Sequence, residues 1–305
     1  MASLKSLKIK IHSYKKTGTV TKAMQAVSAL KMRKAQERAL GMRSYARAAL
    51  RMLGSVSGST EALRHPLTQE RAKGRVAIVI ITSDKGLAGS LNTAVIKKTE
   101  QFIAEENLSQ GELMFFCLGK RGYEFALRRG FEVMHHHTNI SDGIDEAEFR
   151  AITDKVIALQ TSEDLREARV AYTDFRSTFE QRPAIHKILP LSQKIVEHIV
   201  KEIPPEKGKY SEMALEINGV QSYTIEPEPE IVLAALLPKL VNIAIFHKLL
   251  ESKASEHSAR MVAMKSATDK ANEMAGTYTR TFNKVRQAAI TREVSEITSG
   301  IEAMK

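Results

Sequence analysis

The chain has 305 residues, of which 43% are apolar, and a formal net charge of +11. This length predicts one large domain or two smaller ones, and the single cysteine, Cys117, excludes an intrachain disulfide and a multi-cysteine metal site. No stretch approaches the roughly 20 apolar residues of a membrane-spanning helix. Residues 1–10 lack the apolar core of a secretory signal, so we expect a cytosolic or peripheral protein.

The positive charge is concentrated at the two ends of the chain. Residues 1–57 contain 13 Lys or Arg and one acidic residue, and residues 239–305 contain 11 and 7. The residues between them contain 22 basic and 27 acidic side chains. A basic surface of this kind favours an acidic partner, for which nucleic acid, anionic lipid and an acidic protein surface are the three candidates.

Residues 3–57 are predicted to form a long helix. Its apolar stripe is expected to be disturbed near Thr17–Thr19 and then to resume. The first stripe consists of Leu4, Leu7, Ile11 and Tyr14, continued by Val20, Met24, Val27 and Leu30. A second run has a strict 4-3 spacing: Ala35, Ala39, Met42, Ala46, Ala49, Leu53 and Val56. A sustained 4-3 repeat is typical of a coiled coil.

The middle of the chain alternates between strand and helix patterns. The predicted strands are residues 75–82, 113–118, 131–137, 167–175 and 184–190. The predicted helices are residues 91–106, 121–129 and 144–160. This alternation indicates a central Rossmann-like, doubly wound α/β domain, and prolines make the last strand an edge strand.

Residues 203–229 are rich in proline and glycine, which predicts a loop-rich foot with strand-like pieces at 213–217 and 221–225. A final helix follows, with Pro238 in its first turn or kinking its start, and runs to about Ser299 with Gly300 as its stop. Its 4-3 stripe is Leu250, Ala254, His257, Met261, Met264, Thr268, Ala271, Ala275, Tyr278, Phe282, Val285 and Ala289.

These patterns divide the chain into a helix at 1–60, an α/β domain with its foot at 61–230, and a helix at 231–305. We expect the two terminal helices to pair as one long antiparallel coiled coil. The α/β domain would then be a head at one end of that shaft.

The sequence contains few residues in patterns typical of catalysis or ligand binding. The turn Ser83–Ser90 joins a strand to a helix but lacks the spacing of a phosphate-binding loop, so Gly86 and Gly89 are expected to serve a tight turn. His135–His137 alternate faces in a strand and cannot all bind one metal. We interpret His257 as a packed or partner-contacting residue and Cys117 as an inert buried thiol. No cofactor and no catalytic site are predicted.

Four segments together resemble the gamma subunit of F-type ATP synthases. They are TVTKAMQAVSALKMRKAQERA at 19–39, ITSDKGLAGSLN at 81–92, ASEHSARMVAMKSATDKA at 254–271 and FNKVRQAAITREVSEITSG at 282–300. The resemblance implies a non-catalytic central-stalk rotor of a proton-translocating enzyme, which couples rotation of the membrane ring to conformational change at the β catalytic sites.

The resemblance also implies partners and a location. The coiled coil would lie inside the hexamer of α and β subunits, with the α/β domain and foot on the epsilon subunit and the c-subunit ring. Contact with the membrane would occur only through the complex, peripherally on the cytoplasmic face of a bacterial inner membrane, and nucleic acid would not be a partner.

Particular residues are implied as contacts by the same resemblance. Those expected to contact the β subunit are Met24, Arg260, Arg286, Gln287, Thr291 and Glu293. Tyr223 and Glu226 are expected to contact the c-subunit ring.

Two other classes of protein are considered beside this one. The first is a coiled-coil binder of nucleic acid or a membrane surface, driven by the N-terminal charge. Residues 1–57 have only Tyr14 and Tyr45 as stacking residues, which argues against nucleic-acid binding. The second is a nucleotide-binding enzyme that uses the Ser83–Ser90 turn.

Overall fold

The computed structural model describes residues 3–41, 65–162, 164–191 and 229–304. The chain divides into two compact units, one of residues 1–28 with 260–305 and the other of residues 29–259. The predicted helical residues 42–57 and the predicted strands at 213–217 and 221–225 lie outside the described residues.

The described elements follow the predicted order and lie within three residues of the predicted strand and helix bounds in the α/β region. They are α1 (Leu4–Gly41), β1 (Arg75–Ile81), α2 (Leu91–Glu105), β2 (Leu113–Leu118), α3 (Lys120–Arg128), β3 (Glu132–His137), α4 (Glu146–Thr161), β4 (Leu165–Phe175), β5 (Gln181–Leu189) and α5 (Pro229–Ala303). None of the described helices has an apolar stretch long enough to cross a bilayer.

The five strands form one sheet in the order β3-β2-β1-β4-β5. The first four are parallel, and β5 pairs antiparallel with β4 at the edge. Consecutive strands move outward from β1 in both directions, which is the doubly wound arrangement that the alternation predicted.

The sheet is buried on both faces, as its continuous apolar strands require. On one face the core contains Val95 and Phe102 of α2 with Phe125 of α3. On the other face α4 and the first part of α5 pack, including Phe149 and Phe246, whose rings are 5.2 Å apart. The α/β unit therefore uses the start of the C-terminal helix as one of its own core elements.

A glycine is required where β2 leads into α3. Gly119 has a φ of +106°, and a Cβ built there would lie 2.0 Å from the carbonyl oxygen of Thr82. Any larger residue would push the ends of β1 and β2 apart, so the close approach of these two strand ends depends on Gly119.

The boundaries predicted for the final helix were wrong. α5 begins at Pro229 and includes Pro238 in its interior, and it continues through Gly300 to Ala303. A glycine ends a helix when it adopts the left-handed conformation, and Gly300 does not have a positive φ.

The expected disturbance of the stripe at Thr17–Thr19 was also wrong, because the buried positions continue in the same 4-3 phase through Gly18 and Thr21. Gly18 is buried, and a Cβ added to it would lie 3.7 Å from the Cβ of Ala271 and 3.0 Å from Oδ1 of Asn272. Gly18 therefore lies where α1 and α5 approach each other closely, and it does not interrupt α1.

Candidate partner-binding surface

In the unit formed by residues 1–28 and 260–305, α1 and α5 pair in an antiparallel direction. The rings of Tyr14 and Tyr278 stack with centroids 5.4 Å apart, and seven residues further along α1 the hydroxyl oxygens of Thr21 and Thr268 are 2.6 Å apart. The ammonium of Lys10 lies 5.3 Å from the centre of the Tyr278 ring. These contacts confirm the predicted antiparallel pair.

The side of α1 that faces α5 keeps a single 4-3 phase and is built largely from small residues in its centre. The buried members in this unit are Leu7, Gly18, Thr21 and Ser28. On α5 the predicted stripe is confirmed: Met264, Thr268, Ala271 and Ala275 are buried. Small side chains let the two backbones approach closely, at the expense of apolar area.

The predicted continuation of the α1 stripe through Val20, Val27 and Leu30 was wrong. All three side chains are at least half exposed. The pairing phase passes through Gly18, Thr21 and Ser28, so Val20 and Val27 point away from α5. The first unit therefore presents apolar side chains outward on a helix that has six lysines and no acidic residue between residues 1 and 28.

The end of α5 has a second exposed apolar stripe, which the sequence reasoning missed. Ile290, Val294, Ile297 and Ile301 are 51%, 55%, 63% and 57% exposed. Their spacing of four, three and four residues places them on one helix face. The signal was present as a 4-3 repeat, but it is shifted by one residue from the stripe that ends at Ala289.

No described residue covers this end of α5, since every residue from Thr291 to Met304 is exposed. Solitary exposed apolar residues are ordinary, but a continuous stripe on an unpaired helix marks an interaction surface. We call residues 290–304 the α5 tip.

The structure brings four of the predicted contact residues to the α5 tip and its approach. Arg286, Gln287, Thr291 and Glu293 are all exposed. The Thr291 hydroxyl donates a 2.9 Å hydrogen bond to the backbone carbonyl of Gln287 within the helix.

The other predicted contact residues are placed differently. Met24 is half buried, and Arg260 is buried with 8% of its surface exposed, so Arg260 is not part of an open surface. Tyr223 and Glu226 lie outside the described residues.

The turn Ser83–Ser90 uses its polar groups internally. The Ser83 amide donates to Oδ1 of Asn92 at 2.9 Å, and the Asn92 amide donates to Oγ of Ser83 at 2.7 Å. Oδ1 of Asp84 accepts a 3.0 Å hydrogen bond from the Lys120 amide. Gly89 has a φ of +60°, which agrees with the predicted tight turn between β1 and α2.

The structure also places the cysteine and the strand histidines that the sequence analysis considered. Burial raises the pKa of the Cys117 thiol to about 12, so the thiol is inert at neutral pH. His135 contacts Lys155 at 3.0 Å, and burial together with this ammonium lowers the pKa of His135. Among the described residues, no three His, Cys, Asp or Glu side chains are grouped so that they could hold a metal ion.

In the α/β unit, one acidic residue that the sequence reasoning did not single out contacts basic side chains from both terminal helices. The Asp142 carboxylate lies 2.8 Å from Nζ of Lys31, 3.0 Å from Nε2 of His257 and 3.7 Å from Nζ of Lys253. The hydrogen bond from His257 and the nearby ammonium groups lower the pKa of Asp142 well below its usual range. His257 was interpreted as a packed or partner-contacting residue, and its burial and its contact with Asp142 support the packed alternative.

Comparison with known proteins places this architecture in a family. A family model described as ATP synthase matches residues 3–304. The chain is 37% identical over 305 residues to an ATP synthase gamma chain of Geotalea daltonii, and 38% identical over 305 residues to that of a Geobacter species. Both alignments cover 100% of each chain.

Solved structures share the fold. A chain in the rotational-state-3 structure of the Euglena gracilis mitochondrial ATP synthase (OSCP, F1 and c-ring) matches with a TM-score of 0.62 and 16% identity, covering 99% of this chain and 94% of that one. A chain of the Tetrahymena thermophila central stalk and c-ring matches with a TM-score of 0.58 and 22% identity, covering 81% and 99%. With full-length relatives well above 30% identity and a family match over nearly every residue, the chain belongs to the ATP synthase gamma chains.

Proposed function

We propose that this chain is the non-catalytic rotor of an ATP synthase central stalk, coupling rotation of a proton-driven c-subunit ring to conformational change in the β subunits. The observation that carries the proposal is the α5 tip, a helix end that none of the described residues covers and whose apolar stripe requires a surrounding partner. An apolar helix end turning within a ring of subunits meets no single deep ion pair that would hold it in one position.

The charge of the first unit supports an acidic partner surface beside this apolar one. The six lysines of residues 1–28 lie on the same helix as the outward Val20 and Val27, and Met24 lies between the two valines in sequence. An acidic segment of the β subunit matches this chemistry. As the shaft presents different faces to three β subunits, each subunit is biased toward a different conformation in turn, which is differential binding to pre-existing states.

The other proposed partners are the α subunits, the epsilon subunit and the c-subunit ring, with Tyr223 and Glu226 as the contacts to the ring. The family relationship supports these assignments. The same relationship supports a peripheral position on the cytoplasmic face of a bacterial inner membrane, reached through the complex.

The test is assembly followed by rotation. Co-expressed with its α and β subunits, the chain should co-purify with the hexamer, and a bead fixed to the exposed Glu105→Cys should rotate when ATP is added. The variant Ile297→Lys should impair assembly or rotation more than Ser295→Lys, a matched control that lies off the stripe on the same exposed helix.

Two results would overturn the proposal. One is failure of the wild-type chain to associate with the hexamer. The other is saturable ATP binding to the isolated chain in equilibrium dialysis, which would support the nucleotide-binding interpretation of the Ser83–Ser90 turn.

A further inference from the structure

The connection between β3 and α4 is held by both terminal helices at once. The Asp142 carboxylate receives Lys31 from α1, and Lys253 and His257 from α5. The side chains of His257 and Lys253 are 5% and 12% exposed, whereas those of Asp142 and Lys31 are 32% and 48% exposed, so these contacts reach from the interior to the surface. One carboxylate thus fixes two helices that are distant in sequence.

The backbone of the same connection is also bound. Arg38 of α1 donates to the carbonyl oxygen of Asp142 at 2.6 Å and to that of Ile144. Lys253 donates to the carbonyl oxygen of Ile140 at 2.9 Å. We call the set Lys31, Arg38, Asp142, Lys253 and His257 the Asp142 cluster.

The connection is anchored to the α/β core on both sides of Asp142. Ile140 and Ile144 are buried in the core beneath the sheet, together with residues of α4 and α5. A force applied to the Asp142 carboxylate therefore acts on the sheet and not on a free loop.

Stability alone does not call for this arrangement. Apolar contacts fill most of the interface between α5 and the sheet, and well-packed apolar groups generally stabilise at least as well as a half-buried ion cluster. Other polar contacts of α5, such as Ser252 with the Thr173 amide and Asn242 with Thr153, do not involve α1, whereas Asp142 contacts both terminal helices. Polar contacts are directional, so they fix the register and the rotation of a helix against its neighbour. An apolar 4-3 surface can instead pack in several registers.

We propose that Asp142 is a positioning residue that fixes the angle of both terminal helices about their own axes against the α/β sheet, so that torque passes between sheet and helices without slip. The inference rests on the proposed rotor function. It concerns residues 29–41 and 229–259, which belong to the same compact unit as the sheet. Asp142 acts through the helices and contacts no substrate.

The principal test uses Asp142→Asn, which keeps the size of the side chain and removes its charge. The complex is fixed through its α and β subunits, and the angular fluctuation of a bead on Glu105→Cys is recorded while the motor waits for ATP. If the cluster and the apolar packing resist twisting comparably, loss of the cluster should raise the angular variance about twofold and lower the protons pumped per ATP. ATP hydrolysis should change less than the pumping ratio.

A matched control is available on the helices of the α/β region. Glu100 pairs with Arg129, and its side chain is 36% exposed against 32% for Asp142. Both partners of that pair lie in the α/β region, so Glu100→Gln removes a similar charge without releasing a terminal helix. It should leave the variance and the pumping ratio at their wild-type values.

A second variant tests the proposal if the Asp142→Asn complex does not assemble. Lys31→Gln removes one contact of the cluster from an exposed position and should raise the variance in the same direction. Its control is Arg33→Gln, since Arg33 pairs with Glu37 inside α1.

Wild-type variance and pumping in the assembled Lys31→Gln and Asp142→Asn complexes would overturn the inference. If Asp142→Asn does not assemble, the wild-type result for Lys31→Gln alone would overturn it. Absence of ATP-driven rotation in the wild-type complex would instead refute the proposed function, so the two failures are distinguishable.

Discussion

The hydroxyl pair Thr21–Thr268 should behave as a coupled unit in the helix pair. The two oxygens are 2.6 Å apart, and the residues are 9% and 7% exposed. In Thr268→Val the Thr21 hydroxyl still reaches the Thr17 carbonyl at 3.0 Å, and in Thr21→Val the Thr268 hydroxyl still reaches the Met264 carbonyl at 2.8 Å. In each single variant the remaining hydroxyl therefore still donates its hydrogen to a backbone carbonyl, but its buried oxygen loses the hydrogen-bond partner on the other helix.

The size of the effect follows from this geometry. Each single substitution should destabilise the helix pair by about 1 kcal/mol, whereas the double variant should lie within about 0.5 kcal/mol of wild type because both polar groups are gone. Independent sites would instead give a sum of about 2 kcal/mol. Thr and Val have similar helix propensities, so backbone preference contributes little.

Native-state hydrogen exchange of the amides around residues 21 and 268 measures this locally, where global unfolding of a two-unit chain does not. A loss of 1 kcal/mol accelerates exchange about fivefold when opening is at equilibrium. The control is Thr279→Val, whose hydroxyl donates only to the Ala275 carbonyl of its own helix. A double variant that exchanges as fast as the sum of the singles predicts would refute the reasoning.

Four further outcomes are expected. Met24→Lys should leave ATP hydrolysis in place and reduce proton pumping per ATP, whereas lowered stability with normal coupling would show that Met24 only packs between helices. Gln287→Leu and Thr291→Val should each slow turnover of the assembled complex without changing the melting temperature of the chain; wild-type rotation rates in both would indicate a solvated face. Because the pKa of Asp142 is lowered in the folded chain, its contribution to the free energy of unfolding is complete above the unfolded carboxyl pKa of about 4 and is lost as the pH falls below that value. Asp142→Asn should therefore reduce the dependence of the free energy of unfolding on pH in the acidic range. Cys117 should resist alkylation at pH 8 until the chain is unfolded, because burial raises the pKa of its thiol to about 12.

The α/β region was predictable because its strands are unbroken apolar runs. Val76 through Ile81 are buried without exception, which is the pattern of a central parallel strand. The residues of α5 between Met264 and Ala275 were equally clear, since one phase of the 4-3 repeat covers the whole interface.

The pairing side of α1 was not predictable from apolar residues alone. Its centre consists of Gly18, Thr21 and Ser28, which are selected by the close approach of α5, and the nearby Val20 and Val27 have the apolarity but the wrong phase. A stripe traced through the apolar residues alone therefore predicts the outward face of α1 as the pairing face. A rule that holds the heptad phase constant would have reached Thr21 and Ser28.

The Asp142 cluster was beyond sequence reasoning for a different reason. Asp142 is an unremarkable acid in a connecting segment, and it joins Lys31 and His257 over separations that no local pattern encodes. His257 was the available signal, because an imidazole in an otherwise apolar stripe needs a polar partner.

The α5 tip also has a consequence for the chain before it meets any other subunit. An unassembled copy exposes Ile290, Val294, Ile297 and Ile301 to solvent, and such a surface promotes self-association. A helix end without packing contacts also opens readily, and opened segments are the ones that proteases cut. Newly made copies are thus vulnerable in proportion to the time they spend alone. Synthesis matched to that of its partners would shorten this interval, and excess copies would be removed first from this end.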